Sequence, residues 1–148
     1  FKMNVVFAEH KNAQSVRDGY VSFDEAIRSA DVVSLNCPLT PQTANMIGEA
    51  ELQQMKPGAI LINCGRGGLV DEAALVAALK YGQIGGAGFD VLTQEPPRDG
   101  NPLLKAQLPN LIVTPHIAWA SQEASNRLFD ILVDNINRFV AGNPQNLV

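Results

Sequence analysis

Apolar residues in this chain come in short unbroken runs, separated by polar, turn-rich stretches. The runs are Met3 to Ala8 (MNVVFA), Asp31 to Cys37 (DVVSLNC), Ala59 to Asn63 (AILIN), Gly86 to Leu92 (GAGFDVL) and Leu111 to Thr114 (LIVT). Apolar runs of about four to eight residues read as strands buried on both faces, as in parallel sheets. Between the runs, helical signals appear. Ser22 opens a helix that reaches about Ala30, and Glu25 supplies the acidic half of a capping box. Glu49 to Met55 reads as a short helix stopped by Lys56, Pro57 and Gly58. Asp71 caps the next helix, with Leu75, Val76 and Leu79 as its apolar stripe and Gly82 at its end. Ser121 caps a long helix whose stripe of Leu128, Ile131, Leu132, Ile136 and Phe139 is expected to be buried; Gly142 and Pro144 end it. Lys11 to Asp18 is expected to be a polar helix closed by Gly19, and Tyr20-Val21 a very short strand. The stretches PLTPQTANMIG and EPPRDGNPL read as irregular.

Strands alternating with helices predict a doubly wound α/β sheet with parallel strands, a Rossmann-like arrangement. With 148 residues, the chain is long enough for one domain with a real core. Its 46% hydrophobic and 18% charged residues fit a globular chain rather than a disordered one. The net charge is −4 and no basic block appears, which argues against a nucleic-acid partner. No apolar run approaches membrane-spanning length, so no membrane partner is expected. Cys37 and Cys64 show no metal-ligand spacing, so no metal is expected. A reducing cytoplasm is the default compartment, and it argues against a disulfide between them.

Candidate chemistry lies where the apolar runs stop. In open parallel sheets, ligands sit beyond the carboxyl ends of the strands. Arg66, Glu95 and His116 each follow such an end, and they lie 29 and 21 residues apart, about one strand–helix unit each. The glycines flanking Arg66 let the backbone come close to a ligand. An arginine can clamp a carboxylate in bidentate fashion and polarise the neighbouring carbonyl. A histidine can move a proton near working pH, and a carboxylate behind it favours the imidazolium. Taken singly, each has an ordinary explanation: a solvated turn for Arg66, a solvated loop for Glu95, a structural hydrogen bond for His116, and a backbone cap for Asp90. Their joint placement suits carbonyl reduction but leaves several α/β enzymes open.

The motifs themselves narrow the choice. NCGRGGLVDEAAL around Arg66, GAGFDVLTQEPP around Glu95 and NLIVTPHIAWAS around His116 resemble the D-isomer-specific 2-hydroxyacid dehydrogenases over essentially the whole chain. Within that family, AEHKNA…VRDGY and HIAWAS look most like hydroxypyruvate reductases, also called glycerate dehydrogenases. The resemblance implies that Arg66, Glu95 and His116 are the catalytic arginine, glutamate and histidine. It puts cofactor contacts on Glu9, on Cys37, Pro38 and Thr43, on Cys64, Gly65 and Arg66, on Asp90, and on His116 and Ala118. Asp90 in this pattern holds the nicotinamide carboxamide. The implied reaction passes a hydride between NAD and a small 2-oxoacid or D-2-hydroxyacid, here hydroxypyruvate and D-glycerate, in a homodimer. A non-enzymatic NAD(H)-sensing module of the same family is the alternative, which the intact Arg66, Glu95 and His116 set argues against.

Two departures from the family pattern stand out. Glu9 occupies the position of the usual aspartate that meets the adenine ribose, and His10 and Lys11 beside it leave NADP use open. The family's first strand, its glycine-rich phosphate turn and most of its substrate domain have no counterpart in the sequence, and Gly65-Arg66-Gly67-Gly68 lacks the spacing to replace that turn. Residues 1–148 are therefore expected to be the carboxyl-terminal part of a dinucleotide-binding domain, inactive on its own and prone to associate through open strand edges.

Overall fold

The computed structural model describes residues 2–147. It divides into two compact units, one ending at Pro115 and one beginning at His116. In the first unit the order is β1 (Phe7–Ala8), β2 (Tyr20–Val21), α1 (Phe23–Ser29), β3 (Val32–Leu35), α2 (Glu49–Gln54), β4 (Ile60–Asn63), α3 (Glu72–Lys80), β5 (Gly86–Phe89), α4 (Pro102–Ala106) and β6 (Leu111–Val113). The second unit holds α5 (Gln122–Val140).

Among the described residues, β3, β4, β5 and β6 form a parallel sheet in that order, and β1 pairs with β2 in a separate parallel pair. The ladder aligns Leu35 with Asn63, and Asn63 with Phe89. The carboxyl ends of β3, β4 and β5 therefore share one edge. This is the α/β parallel arrangement that the alternation of runs and helices predicts. Leu61 on β4 and Phe89 on β5 pack with Leu52, Leu69, Leu75 and Leu79 in a continuous buried core. The helices start where their caps predict. Ser22 accepts from the Glu25 N–H, and Asp71 accepts from the N–H groups of Ala73 and Ala74. Gly82 has φ of 70° and closes α3, with the next N–H reaching back from Gln83 to the Ala78 carbonyl.

Four expectations need correction. Only Phe7 and Ala8 of the MNVVFA run are in a ladder, because their partner β2 is two residues long, held between Gly19 at φ 78° and the Ser22 cap. Lys11 to Asp18 is not a helix. Asn12 has a left-handed backbone, and the Glu9 carboxylate accepts the backbone N–H groups of both His10 and Arg17, folding the segment into a loop. The EPPRDGNPL stretch is not wholly irregular. Asn101 caps α4 by accepting the Leu103 N–H, Pro102 takes the first helical position, and Leu103 is buried. Finally, the stripe of α5 is not buried: Leu128 is 60% and Phe139 70% exposed, and Ile131, Leu132 and Ile136 are exposed as well. Periodicity tells which face of a helix is apolar, not whether anything covers it. In its own unit α5 meets the returning terminus, where Gln145 donates to Asp134 and Asn135.

Candidate active site

Each group at the sheet edge is fixed by a specific local device. At the end of β4 the buried Asn63 side chain folds the turn that carries Arg66. Its amide donates to the Arg66 carbonyl at 2.9 Å and its oxygen accepts the Gly65 N–H at 3.1 Å. Arg66 is exposed, and its guanidinium donates to the Gly65 carbonyl at 2.8 Å. Gly65 sits against the end of β3: a Cβ there would lie 3.1 Å from the Leu35 carbonyl oxygen and 3.5 Å from that of Cys37. Gly67 sits against the segment after β5, where a Cβ would overlap the Leu92 carbonyl. The arginine turn is thus wedged between the chain leaving β3 and the chain leaving β5; at Gly67 there is no room for a side chain, and at Gly65 a Cβ would be a tight contact.

The loop after β5 carries Glu95, which is exposed and precedes a cis peptide bond to Pro96. Its Oε1 accepts the Leu92 N–H at 2.7 Å. The loop is pinned from below by Glu72 at the start of α3, whose two oxygens accept the Thr93 N–H at 2.7 Å and the Asn101 side-chain amide at 2.6 Å. Asp90 is buried at the end of β5. Its N–H donates to the Asn63 carbonyl, and its carboxylate accepts the Thr114 hydroxyl.

The turn after β3 is closed by its own side chains. The Thr43 hydroxyl donates to the Pro38 carbonyl at 2.7 Å and accepts the Thr40 N–H at 2.8 Å. Half-buried Cys37 places its sulfur 3.6 Å from that of Met46, and Cys64 is exposed; both are free thiols.

Glu9 follows β1 and is 5% exposed. Its Oε1 accepts the His10 N–H at 2.8 Å and Arg17 Nη2 at 2.9 Å; its Oε2 accepts Arg17 Nε at 2.7 Å and the Arg17 N–H at 3.2 Å. The Arg17 guanidinium, helped by the His10 N–H, holds the Glu9 carboxyl down at about 2, and the pairing in turn raises Arg17. Lys11 is turned elsewhere. It pairs with Glu51 at 2.8 Å, donates to the Met46 carbonyl and lies over the Phe23 ring. Burial pushes the Glu51 carboxyl up, but the Lys11 ammonium and the Gly48 N–H outweigh it and leave it lowered. Glu9, His10, Val16, Ser22 and Asp24 line a hollow of about 130 Å³. That is below the roughly 300–1,000 Å³ of a pocket for a whole small molecule.

His116 and Ala118 open the second unit, both exposed. His116 has a left-handed backbone with φ of 56°, and its carbonyl accepts the Trp119 indole N–H at 3.0 Å. The first unit thus brings the Arg66 turn, Asp90 and the Glu95 loop to one sheet edge. Glu9 stands at the end of the separate β1–β2 pair.

Side chains in this machinery that the sequence-derived set lacks include Arg17, Asn63, Glu72, Asn101 and Thr114. Glu72 carried a weak signal, since an acid in a first helical turn ordinarily faces the helix dipole and water. Arg17 was masked by the expected helix, which would have turned it away from Glu9. Among the described residues, no cluster of histidine, cysteine or acidic side chains is arranged to hold a metal. No described helix is long and apolar enough to cross a membrane.

The parallel sheet, with turns gathered at the carboxyl ends of its strands, is the arrangement of a dinucleotide-binding domain. The chain belongs to the D-isomer specific 2-hydroxyacid dehydrogenase, NAD binding domain family, whose model matches residues 1–118. It is 63% identical over 132 residues to the glycerate dehydrogenase of Methylorubrum extorquens, covering 89% of this chain and 42% of that protein. It is 44% identical over 129 residues to the hydroxypyruvate reductase of Blautia hydrogenotrophica, covering 87% of this chain and 39% of that protein. Among solved structures, the NAD-complexed D-isomer specific 2-hydroxyacid dehydrogenase from Lactobacillus delbrueckii ssp. bulgaricus superposes with a TM-score of 0.78 at 38% identity, covering 87% of this chain and 43% of that one. The chain spans less than half the length of these relatives.

Proposed function

We propose that this chain is the carboxyl-terminal part of the dinucleotide-binding domain of an NAD-dependent D-2-hydroxyacid dehydrogenase, acting on hydroxypyruvate and D-glycerate. The observation that carries this reading is the contact of Gly67 with the Leu92 carbonyl, which ties the Arg66 turn to the loop of Glu95 at the ends of two adjacent parallel strands. The kinship with a glycerate dehydrogenase and a hydroxypyruvate reductase supports the substrate. The family resemblance supports a homodimer in the cytoplasm.

The catalytic roles rest on side-chain chemistry, and the cofactor contacts on the family resemblance. Arg66 binds the carboxylate of the 2-oxoacid and polarises the carbonyl beside it. His116 gives the proton to the carbonyl oxygen, and takes it back in the oxidative direction. Glu95 supports the imidazolium. Glu9 meets the adenine ribose, the turn of Cys37, Pro38 and Thr43 and the Cys64-Gly65 backbone flank the cofactor, and Asp90 holds the nicotinamide carboxamide, with contacts from His116 and Ala118. When bound, the reduced nicotinamide supplies the hydride. The test is hydroxypyruvate-dependent oxidation of NADH by the whole enzyme. Arg66→Ala is expected to weaken 2-oxoacid use chiefly, and unchanged 2-oxoacid kinetics in that variant would remove Arg66 from the site.

A further inference from the structure

We infer that Arg17 is a specificity-determining residue for the cofactor: it makes the ribose end of the site an ion pair rather than a bare carboxylate, and its guanidinium receives a 2′-phosphate, so the enzyme takes NADPH as well as NADH. The inference rests on the proposed dinucleotide reading of the Glu9 site and deepens it.

A carboxylate offers about four acceptor directions on its two oxygens. Here His10 N–H, Arg17 N–H, Arg17 Nε and Arg17 Nη2 take two on each oxygen. A ribose hydroxyl meeting Glu9 must displace one of these donors. The two backbone N–H groups are held by the loop, so the side chain of Arg17 is the one free to yield. The pairing also cancels the charge that ordinarily turns a 2′-phosphate away. A lone acid at this position repels the phosphate; an acid bridged to an arginine presents no net charge to it.

Arg17 is placed to do more than neutralise. Its side chain is 55% exposed, whereas that of Glu9 is 4% exposed, so the cationic member of the pair faces solvent. It lies over the Tyr20 ring, 4.0 Å from the centroid, a stacking contact that helps to fix the guanidinium. Of about five guanidinium N–H donors, two point at Glu9, and the others remain to meet phosphate oxygens in the forked geometry that arginine favours. The other charges nearby do not replace it. Lys11 is committed to Glu51 and Met46, and Asp24, at the wall of the hollow beside Glu9, stands 4.0 Å from Arg28.

The experiment is direct titration of the whole enzyme with NADH and with NADPH, by calorimetry or nicotinamide fluorescence, in wild type, Arg17→Gln and Arg17→Lys. Wild type is expected to bind the two cofactors within about tenfold of each other. Arg17→Gln should weaken NADPH by about tenfold or more and NADH by less than about threefold, since the charge-assisted hydrogen bond to the 2′-phosphate is lost for NADPH alone. Arg17→Lys, which keeps the charge, should recover most of the NADPH affinity. NADPH affinity should also fall more steeply with added salt than NADH affinity. If the glutamine variant does not fold, that salt comparison on wild type decides, and equal slopes overturn the inference. An equal loss of both cofactors in Arg17→Gln also overturns it, reducing Arg17 to a holder of Glu9. If wild type binds neither cofactor, the dinucleotide reading itself fails, a result distinct from NADH binding without the selective loss.

Discussion

Gly67 lies with its Cα against the backbone carbonyl of Leu92, with no room for a methyl group between them. The contact joins the turn after β4 to the loop after β5, so the spacing between Arg66 and Glu95 depends on a missing side chain. Gly67→Ala must push the two segments apart. Overpacking of this kind typically costs about 1–3 kcal/mol. The variant is expected to show that loss in urea unfolding, together with a kcat deficit larger than the loss of folded protein explains. Wild-type stability and turnover in Gly67→Ala would show that the two segments move independently.

Glu72 predicts a second positioning effect. It is 9% exposed and is the acceptor for both the Thr93 N–H and the Asn101 amide. Glu72→Ala leaves those donors without it, at a cost of about 1–3 kcal/mol for each one that stays buried and unmet. Glu72→Gln keeps one acceptor and should lose less. The ordering of the two variants by chemical denaturation checks this, and equal stability of both would show that the loop does not lean on Glu72.

The Glu9–Arg17 pair gives stability a defined dependence on pH. The folded carboxyl is held at about 2, below its ordinary 4.5. A depressed carboxyl favours the folded state fully above the unfolded value, and that contribution is lost as pH falls from about 4.5 toward 2. Glu9→Gln should flatten the stability profile in that window and leave the rest of the acid limb in place. An unchanged profile would mean that the pair survives unfolding or does not form.

His116→Ala in the whole enzyme is expected to lower kcat by about 10² to 10⁴, the range for loss of a general acid–base group. NADH affinity should change far less. Near-normal turnover in this variant would assign the proton transfer to another residue.

Much of this was legible because the informative residues act locally. Ser22, Asp71 and Ser121 announce their helices, since a cap bonds to N–H groups two or three residues away. The turn at Gly65 to Gly68 and the strand before it read directly from the apolar run and the glycines. What was missed depends on partners distant in sequence. The Lys11 to Asp18 segment has helical polarity, but the Glu9 carboxylate captures Arg17 eight residues on and bends the chain into a loop. Glu72 meets Thr93 and Asn101 across more than twenty positions, a distance no local pattern encodes. The apolar stripe of α5 was real as a pattern, yet Phe139 and Leu128 stand exposed, because periodicity carries no information about the surface that would cover it.

The most direct test of the account is the incubation of the whole enzyme with NADH and hydroxypyruvate, following NADH oxidation and the handedness of the product. The account predicts NADH oxidation that depends on hydroxypyruvate, yields D-glycerate, and collapses in His116→Ala while NADH binding persists. Tight NADH binding with no turnover of hydroxypyruvate or any other small 2-oxoacid would contradict it, and would make the chain part of a cofactor-binding protein that does not catalyse hydride transfer.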